Sequence, residues 1–146
     1  MAAERAGITR AGEGLDGVVW NILGQTYYPK QSSDTSFAFE AHSPPGTFVP
    51  PHIHPDQDEF IYVLEGTIDL RLADKEAQAR PGDLVRMPRG VPHAYYNNQT
   101  IPSRALFWVT PAGSLKLLFD QLHDLTDVEE VVRRSHACGV DFLPPR

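Results

Sequence analysis

Residues 46–66 read GTFVPPHIHPDQDEFIYVLEG and contain the pattern that decides the fold. Prolines interrupt the stretch and an apolar, aromatic run ends it, which favours short strands joined by turns over a helix. His52 and His54 are two residues apart, so on an extended strand both imidazoles project from the same face. Two side chains that commonly bind metals are therefore aimed in one direction.

Glu59 lies five residues beyond His54, an odd offset that would place it on the opposite face of an uninterrupted strand. The intervening residues 55–58, Pro-Asp-Gln-Asp, favour a turn or bulge that resets the register. After this reset Glu59 shares the inward face. His93 is a fourth candidate, because the rigid connection over residues 88–92 could bring its ring across from another strand.

Three imidazole nitrogens and one carboxylate oxygen suit Mn, Fe, Co, Ni, Cu or Zn and disfavour Mg or Ca. We therefore expect one divalent transition metal ion, whose identity the ligands alone do not select. Positions left open on the ion could take water, dioxygen or a substrate, and Glu59 either coordinates or acts as a general base. The alternative is that the four side chains satisfy one another in the core, which would carry a desolvation cost.

Outward from this stretch, residues 18–110 alternate between apolar and polar at strand spacing and are broken every ~8–12 residues by turn residues. This rhythm is typical of a β-sandwich or barrel. Strands are predicted at 18–23, 36–41, 48–52, 59–64, 67–72, 84–87, 93–96 and 104–109.

The pattern becomes helical from Ser114 onwards. A second helix is predicted from Thr126-Asp127-Val128-Glu129, which has the form of a capping box, and Gly139 is placed to end it. The predicted helical segment, about 114–138, lies either over the barrel mouth as a lid or on the outer sheet. Residues 1–146 thus form one domain with a barrel core at about 18–110.

Composition limits the classes of partner. The 146 residues carry a formal net charge of -6 with dispersed Lys and Arg, so we expect no nucleic acid and no membrane partner. Cys138 is the only cysteine, which excludes an intrachain disulfide. The first residues lack the apolar run of a signal peptide, and no stretch reaches the ~18 apolar residues of a membrane span. We expect a cytoplasmic protein.

Residues 60–64, Phe-Ile-Tyr-Val-Leu, are apolar on both faces of the predicted strand, whereas a strand with one face in water alternates. Both faces are therefore expected to be covered, by the C-terminal helices, the N-terminal strand or a second subunit. The last option predicts a homodimer. The alternative is that Phe60 and Tyr62 are partly exposed aromatics.

The spacing G-x5-H-x-H-x4-E-x6-G over residues 46–66 resembles the first cupin motif at every fixed position, and G-x5-P-x-G-x2-H-x3-N over residues 82–97 resembles the second. The resemblance implies an all-β fold, a single cupin jelly-roll-like β-barrel with C-terminal helices. It also implies a metal inside one end of the barrel, with His52, His54, Glu59 and His93 in the family's ligand positions.

Within the cupins, residues 59–66 and the step at 111–113 into an apolar helix look most like small relatives of quercetin 2,3-dioxygenase. This resemblance implies a dioxygenase in which the metal binds an enolic or aromatic substrate, Glu59 accepts its proton and dioxygen attacks the carbon skeleton. Two alternatives stay open: a non-redox isomerase, lyase or decarboxylase, and a cupin that binds a small molecule without turnover.

Tyr95 shares strand parity with His93, so its hydroxyl could reach a metal-bound ligand, and it joins Glu59 as a candidate catalytic residue. Arg104 is expected in a surface ion pair and Asn97 in a turn. Other bulky side chains either line a pocket for a flat ligand or belong to the core. They are Phe37, Phe39, Phe48, Phe60, Tyr62, Met87, Phe107 and Trp108.

Overall fold

The computed structural model describes residues 4–144, so both ends of the domain predicted over 1–146 lie outside the described part. The described chain forms eleven strands and two α-helices after a 3-10 turn at Leu15–Gly17. The strands are β1 Trp20–Ile22, β2 Gln25–Ser32, β3 Phe37–Ser43, β4 Phe48–Ile53, β5 Asp58–Glu65, β6 Ile68–Leu72, β7 Lys75–Ala79, β8 Leu84–Met87, β9 His93–Tyr96, β10 Ser103–Thr110 and β11 Asp141–Phe142. The helices are α1 Leu115–Leu122 and α2 Val128–Ala137.

The strands pair into two sheets, ordered β1-β2-β3-β10-β5-β8 and β11-β4-β9-β6-β7. Each strand pairing is antiparallel, and neighbours such as β3, β10 and β5 are distant in sequence. This arrangement confirms the predicted all-β, cupin jelly-roll-like barrel with C-terminal helices.

The core lies between the sheets. Side chains on β10 alternate between buried and half-buried along its whole length, as expected for a strand with one face inward. On that inward face the Phe107 ring stacks on Phe39, with centroids 5.1 Å apart. Ile61 and Val109 are fully buried beside them. Burying each such side chain stabilises the fold by roughly 1.5–3 kcal/mol.

Each predicted strand overlaps an observed one, and 84–87 and 93–96 match β8 and β9 to the residue. The prediction missed β2, β7 and β11. Strand β2 is polar and contains Pro29, which a register shift between Pro29 and Gln31 accommodates. Strand β7 is exposed except for Ala79, so its sequence has no apolar alternation that would predict a strand. Its pairing with β6 stabilises the extended conformation.

The helices begin close to the predicted positions, with one correction. Helix α1 follows Ser114 directly, as predicted. Helix α2 is capped by Asp127 and not by Thr126: the Asp127 carboxylate accepts hydrogen bonds from the backbone N–H groups of Glu129 and Glu130. Asp is a better N-cap than Thr and adds a negative charge at the positive end of the helix. Gly139 follows α2 with a φ of 85°.

Strand β5 alternates more strictly than its sequence suggested. Ile61 and Val63 are buried, whereas Tyr62 is 42% exposed. The expectation that both faces are covered is therefore not met within the described chain. Phe60 is half-buried against Trp108, with ring centroids 5.3 Å apart, which fits the alternative of partly exposed aromatics.

No helix within residues 4–144 combines the length and the apolar character that crossing a membrane requires.

Candidate metal centre

The four predicted donor residues meet inside the barrel. His52 lies on β4, Glu59 on β5 and His93 on β9, while His54 directly follows β4. One ligand atom from each lies within 4.8 Å of the others. Nε2 of His93 is 3.0 Å from Oε1 of Glu59, and Nε2 of His54 is 3.7 Å from the same oxygen. All four side chains are buried.

The two sheets contribute opposite sides of this cluster. His52 and His93 are direct partners in the pairing of β4 with β9. Glu59 belongs to the other sheet, where it pairs with Met87 and Val109. The turn between β4 and β5 leaves Glu59 facing the histidines, as the predicted register reset requires. The cluster therefore lies between the sheets.

Hydrogen bonds at Nδ1 fix the nitrogen that each ring turns towards the cluster. Nδ1 of His52 and of His93 lie 2.8 and 3.3 Å from the backbone carbonyl oxygen two residues earlier. Nδ1 of His54 lies 3.0 Å from Oε1 of Gln57. Because each partner is an oxygen acceptor, Nδ1 carries the hydrogen and Nε2 keeps its lone pair. Three lone pairs and one carboxylate therefore face a common space.

Gln57 is a positioning residue that sequence reasoning missed. Its Nε2 donates hydrogen bonds to the carbonyl oxygens of Pro111 and Ala112, at 3.0 and 2.7 Å, which turns its Oε1 towards His54. A Cβ atom at Gly113 would lie 2.7 Å from the same amide nitrogen, so glycine permits this close approach. The sequence contains no signal for a contact across more than fifty residues, and its pattern indicates only a turn at residue 57.

Burial and mutual repulsion set the charges of the cluster. Burial, followed by repulsion from the His93 and His54 rings, lowers the pKa of His52 to about 3. Burial raises the pKa of Glu59, but the surrounding His54, His93 and His52 imidazoles outweigh it and bring that pKa down to about 2. At neutral pH His52 is therefore neutral and Glu59 is anionic. Metal binding needs both of these states.

The donors fit a metal ion. Although Nε2 of His93 lies near Glu59, it makes no hydrogen bond to any residue within 4–144. An unsatisfied buried polar group costs about 1–3 kcal/mol, and a cation among the four donors would remove that cost. Neutral nitrogens with one carboxylate favour a first-row transition ion but do not identify it. The cluster supports a bound metal ion of undetermined identity.

Tyr95 lies beside the cluster on β9 and is buried. Its hydroxyl is 2.8 Å from the hydroxyl of Tyr27, a residue that sequence reasoning missed together with β2. Burial, followed by the nearby Tyr27 and the charge of Glu59, raises the pKa of Tyr95 well above its ordinary value. Burial also raises the pKa of Tyr27. Both phenols therefore stay protonated at neutral pH and act as neutral hydrogen-bonding groups.

A cavity of about 80 Å³ adjoins the metal cluster and is lined by His52, His54 and Glu59 on one side. Its other walls are mostly apolar. Of the bulky residues singled out in the sequence, Phe39, Phe48, Tyr95 and Phe107 line it. Phe37 and Met87 belong to the core, whereas Phe60, Tyr62 and Trp108 lie on the outer face.

Helix α1 covers this cavity. Leu115, Leu118, Phe119 and Leu122 are buried and line it. Phe119 packs against the Tyr27 and Phe39 rings, with centroid distances of 5.0 and 4.9 Å. Of the two predicted positions for the helical segment, the structure therefore shows the one over the barrel interior.

Two further residues of the motifs and strands have structural roles, as predicted. Arg104 forms ion pairs with Glu40 and Glu65 on the outer face of the six-stranded sheet. Asn97 is buried, and its amide donates hydrogen bonds of 2.9 Å to the carbonyl oxygens of Ser43 and Ile101. These contacts brace the turn after β9 and leave Asn97 away from the donor cluster.

Comparisons with known proteins agree with the motifs. Residues 39–109 match the family model described as "Cupin domain". The tetracenomycin polyketide synthase protein TcmJ of Streptomyces glaucescens is 30% identical over 67 residues, which cover 46% of this chain and 45% of TcmJ. The match therefore spans less than half the length of this curated relative.

Two solved structures share the fold. An RmlC-like cupin from Shewanella frigidimarina superposes with a TM-score of 0.66 at 15% sequence identity. The superposition covers 76% of this chain and 96% of the Shewanella chain. A sugar phosphate isomerase of the cupin superfamily from Silicibacter pomeroyi gives a TM-score of 0.54 at 26% sequence identity. The superposition covers 60% of this chain and 59% of the isomerase chain. The cupin-domain match and the shared fold together support the assignment of this chain to the cupin superfamily.

Proposed function

We propose that His52, His54, Glu59 and His93 bind one divalent transition metal ion and that the protein is a metal-dependent dioxygenase acting on an aromatic or enolic small molecule. The observation that carries the proposal is the convergence of these four donors at the wall of an apolar, aromatic cavity. When bound, the ion would supply Lewis acidity and redox chemistry towards dioxygen. The resemblance of residues 59–66 to quercetin 2,3-dioxygenase relatives supports the same reaction class.

Glu59, the tyrosine pair and helix α1 have distinct roles in this proposal. Glu59 is ionised at neutral pH and accepts the enolic proton of the substrate when it is not coordinating. Tyr27 and Tyr95 share one hydrogen bond between their hydroxyls, so the pair has one remaining hydroxyl hydrogen to donate to a substrate oxygen. Helix α1 covers the cavity, whose volume of about 80 Å³ is smaller than the ~150 Å³ that holds one benzene ring, so binding of an aromatic substrate requires α1 to move outward.

The cavity walls favour a flat apolar substrate. Aromatic side chains on both the barrel and α1 line the space, and aromatic contacts contribute about 0.5–1.5 kcal/mol each beyond the buried area. TcmJ is by name a polyketide synthase protein, and poly-β-keto chains enolise readily. An aromatic or enolic ligand agrees with both observations.

A phosphorylated sugar fits this cavity poorly. Phosphate groups are bound by Arg, Lys or backbone N–H clusters. None of the described residues that line the cavity is Arg or Lys. We therefore do not extend the activity of the Silicibacter pomeroyi isomerase to this protein.

We also infer that the protein is a homodimer. Tyr62 and Leu84 are partners across β5 and β8 and expose 42% and 46% of their surface next to the half-buried Phe60 and Trp108. A second subunit on this outer face would cover them. Sedimentation should give a dimer for the wild type and a monomer for Tyr62→Lys, whereas a monomeric wild type would exclude the dimer.

The deciding experiment combines metal analysis with dioxygen uptake. Protein purified without added metal should contain close to one transition ion per chain, and a panel of flavonols and β-diketones should include a substrate that drives uptake. Turnover should stop under anaerobic conditions and after replacement of the ion by zinc. Turnover that persists in either case would instead assign a non-redox isomerase, lyase or decarboxylase. Saturable binding with unchanged ligand would assign a binding protein.

A further inference from the structure

Ser135 is the one polar residue among the buried residues of the two helices. Helix α2 buries Val131 and Ser135, whereas the buried residues of α1 are all apolar. Ser135 is 1% exposed and lines the same cavity as His52, His54 and Glu59. A hydroxyl is therefore present in an otherwise apolar helical wall.

The Ser135 hydroxyl has no protein partner. Within residues 4–144, its Oγ makes no hydrogen bond. A buried serine inside a helix ordinarily donates to the carbonyl oxygen four residues earlier, and leaving a buried hydroxyl unpaired costs free energy. No described residue forms a hydrogen bond with this hydroxyl, so we expect its partner to come from outside the chain.

Backbone hydrogen bonds at Ser135 hold the end of α2. The Ser135 carbonyl oxygen accepts hydrogen bonds from the backbone N–H groups of Cys138 and Val140, at 3.0 and 2.9 Å. These bonds close the turn that leads from α2 into β11. Phe142 of β11 pairs directly with His52 of β4. The helix that presents the hydroxyl is thus joined by a short, hydrogen-bonded segment to the strand that carries a metal-donor residue.

Polar groups on the barrel wall of the cavity are satisfied. The hydroxyls of Tyr27 and Tyr95 bond to each other at 2.8 Å. Oε1 of Gln25 accepts a hydrogen bond from Oγ of Ser43 at 2.9 Å. Among these cavity groups away from the metal cluster, Ser135 differs in having no partner, which singles it out as a contact for a ligand.

We propose that Ser135 is a specificity-determining residue for a flat, polyoxygenated aromatic ligand. One end of the ligand carries the oxygen atoms that bind the metal, and a second hydroxyl or carbonyl group farther along the ring system hydrogen-bonds to Ser135 Oγ. This inference rests on the proposed function and narrows its substrate class. A site built to bond a ligand hydroxyl discriminates against the analogue that lacks it, because the site's own polar group is then left unpaired.

The test uses 3-hydroxychromone, a flat molecule that chelates a metal through two oxygen atoms. It is compared with its four derivatives that carry one added hydroxyl on the benzo ring, which are isomers of one another. Dissociation constants are measured by calorimetry under anaerobic conditions on the cobalt-reconstituted protein, residues 1–146. The wild type should bind at least one hydroxylated isomer about tenfold more tightly than the parent, as one hydrogen bond provides. Ser135→Ala should abolish this preference and leave the affinity for the parent unchanged. Ser114→Ala is the matched control and should keep the preference, because Ser114 is exposed at the N-cap position of α1 and its side chain makes no capping hydrogen bond.

Thermal unfolding of the metal-free protein provides a second readout. Because its hydroxyl has no protein partner, Ser135→Ala should melt at the wild-type temperature or above it. A clear loss of thermal stability, or equal affinities of Ser135→Ala and wild type for every probe, would overturn the assignment. Dioxygen uptake that continues in that case leaves the proposed function intact. Conversely, a preference lost in Ser135→Ala without any dioxygen uptake supports Ser135 and rejects the dioxygenase.

Discussion

Nδ1 of His54 lies 3.0 Å from Oε1 of Gln57, and the amide nitrogen of Gln57 is held by the carbonyl oxygens of Pro111 and Ala112. The orientation of a metal-donor ring thus depends on an amide that bridges two distant parts of the chain. Outer partners of this kind fix the tautomer and the direction of the donor ring.

Gln57→Leu should weaken metal binding while the fold stays intact. The leucine keeps the volume but removes the acceptor from His54, and loss of such a partner typically costs about 10–100-fold in metal affinity. Competition with a chromophoric chelator measures the change. Gln121→Leu on α1, outside the cavity lining, is the control, and equal affinities of the two variants would contradict the role of Gln57.

Removal of the ion should destabilise the protein. Metal present at ~100 times its dissociation constant stabilises the folded state by about 2.7 kcal/mol, which corresponds to roughly 5–10 °C in melting temperature for a domain of this size. Calorimetric scans with and without a chelator test this on the wild type. Glu59→Gln removes the anionic donor and leaves three imidazoles, so the chelator should lower its melting temperature clearly less than that of the wild type. A chelator response as large as that of the wild type would show that Glu59 is not a donor.

Tyr27 and Tyr95 should be energetically coupled. Tyr27→Phe or Tyr95→Phe leaves the other buried hydroxyl without this partner and should lower the free energy of unfolding by about 1 kcal/mol. The double variant should lose less than the sum of the two, because it removes both hydroxyls together. Urea denaturation of the four proteins in the cycle measures the coupling. Strict additivity would mean that the 2.8 Å contact contributes nothing.

Asp69 should make stability depend on pH in the acid range. Its carboxylate accepts hydrogen bonds from Gln78, Gln99 and the backbone N–H of Asn98, and although burial raises its pKa, these donors lower it below the ordinary value. A lowered folded-state pKa gives stability that is fully present above the unfolded value, about 4, and is lost as the pH falls through the folded value.

Asp69→Asn should therefore cost roughly 1–2 kcal/mol at pH 7. The difference from the wild type should shrink as the pH falls below about 4. Urea denaturation across this range tests the trend, with Asp74→Asn in the exposed β6–β7 turn as the control. A wild-type advantage that is constant down to pH 2 would count against the hydrogen-bonded carboxylate.

Local spacing predicts those parts of the site that depend on strand geometry. The two-residue spacing of His52 and His54 and the turn before Glu59 follow from the alternation of side chains along strands, and they place the donors correctly. Tyr27 and Gln57 could not be found in this way. Tyr27 lies on β2, a polar strand that is stabilised by its pairing with β3. Gln57 positions His54 only because it contacts distant backbone carbonyl groups in the folded barrel.

The Gln57 bridge also limits how the protein can be redesigned. Pro111 and Ala112 lie just before Gly113 and Ser114, which lead into α1 at Leu115. Helix α1, which covers the cavity, and the His54 ring are therefore held by the same short segment. A chimera that grafts the C-terminal helices of another cupin onto this barrel must therefore retain residues 111–113 with Gln57 as one unit. An exchange that cuts between them would alter the metal geometry even if every donor residue were retained.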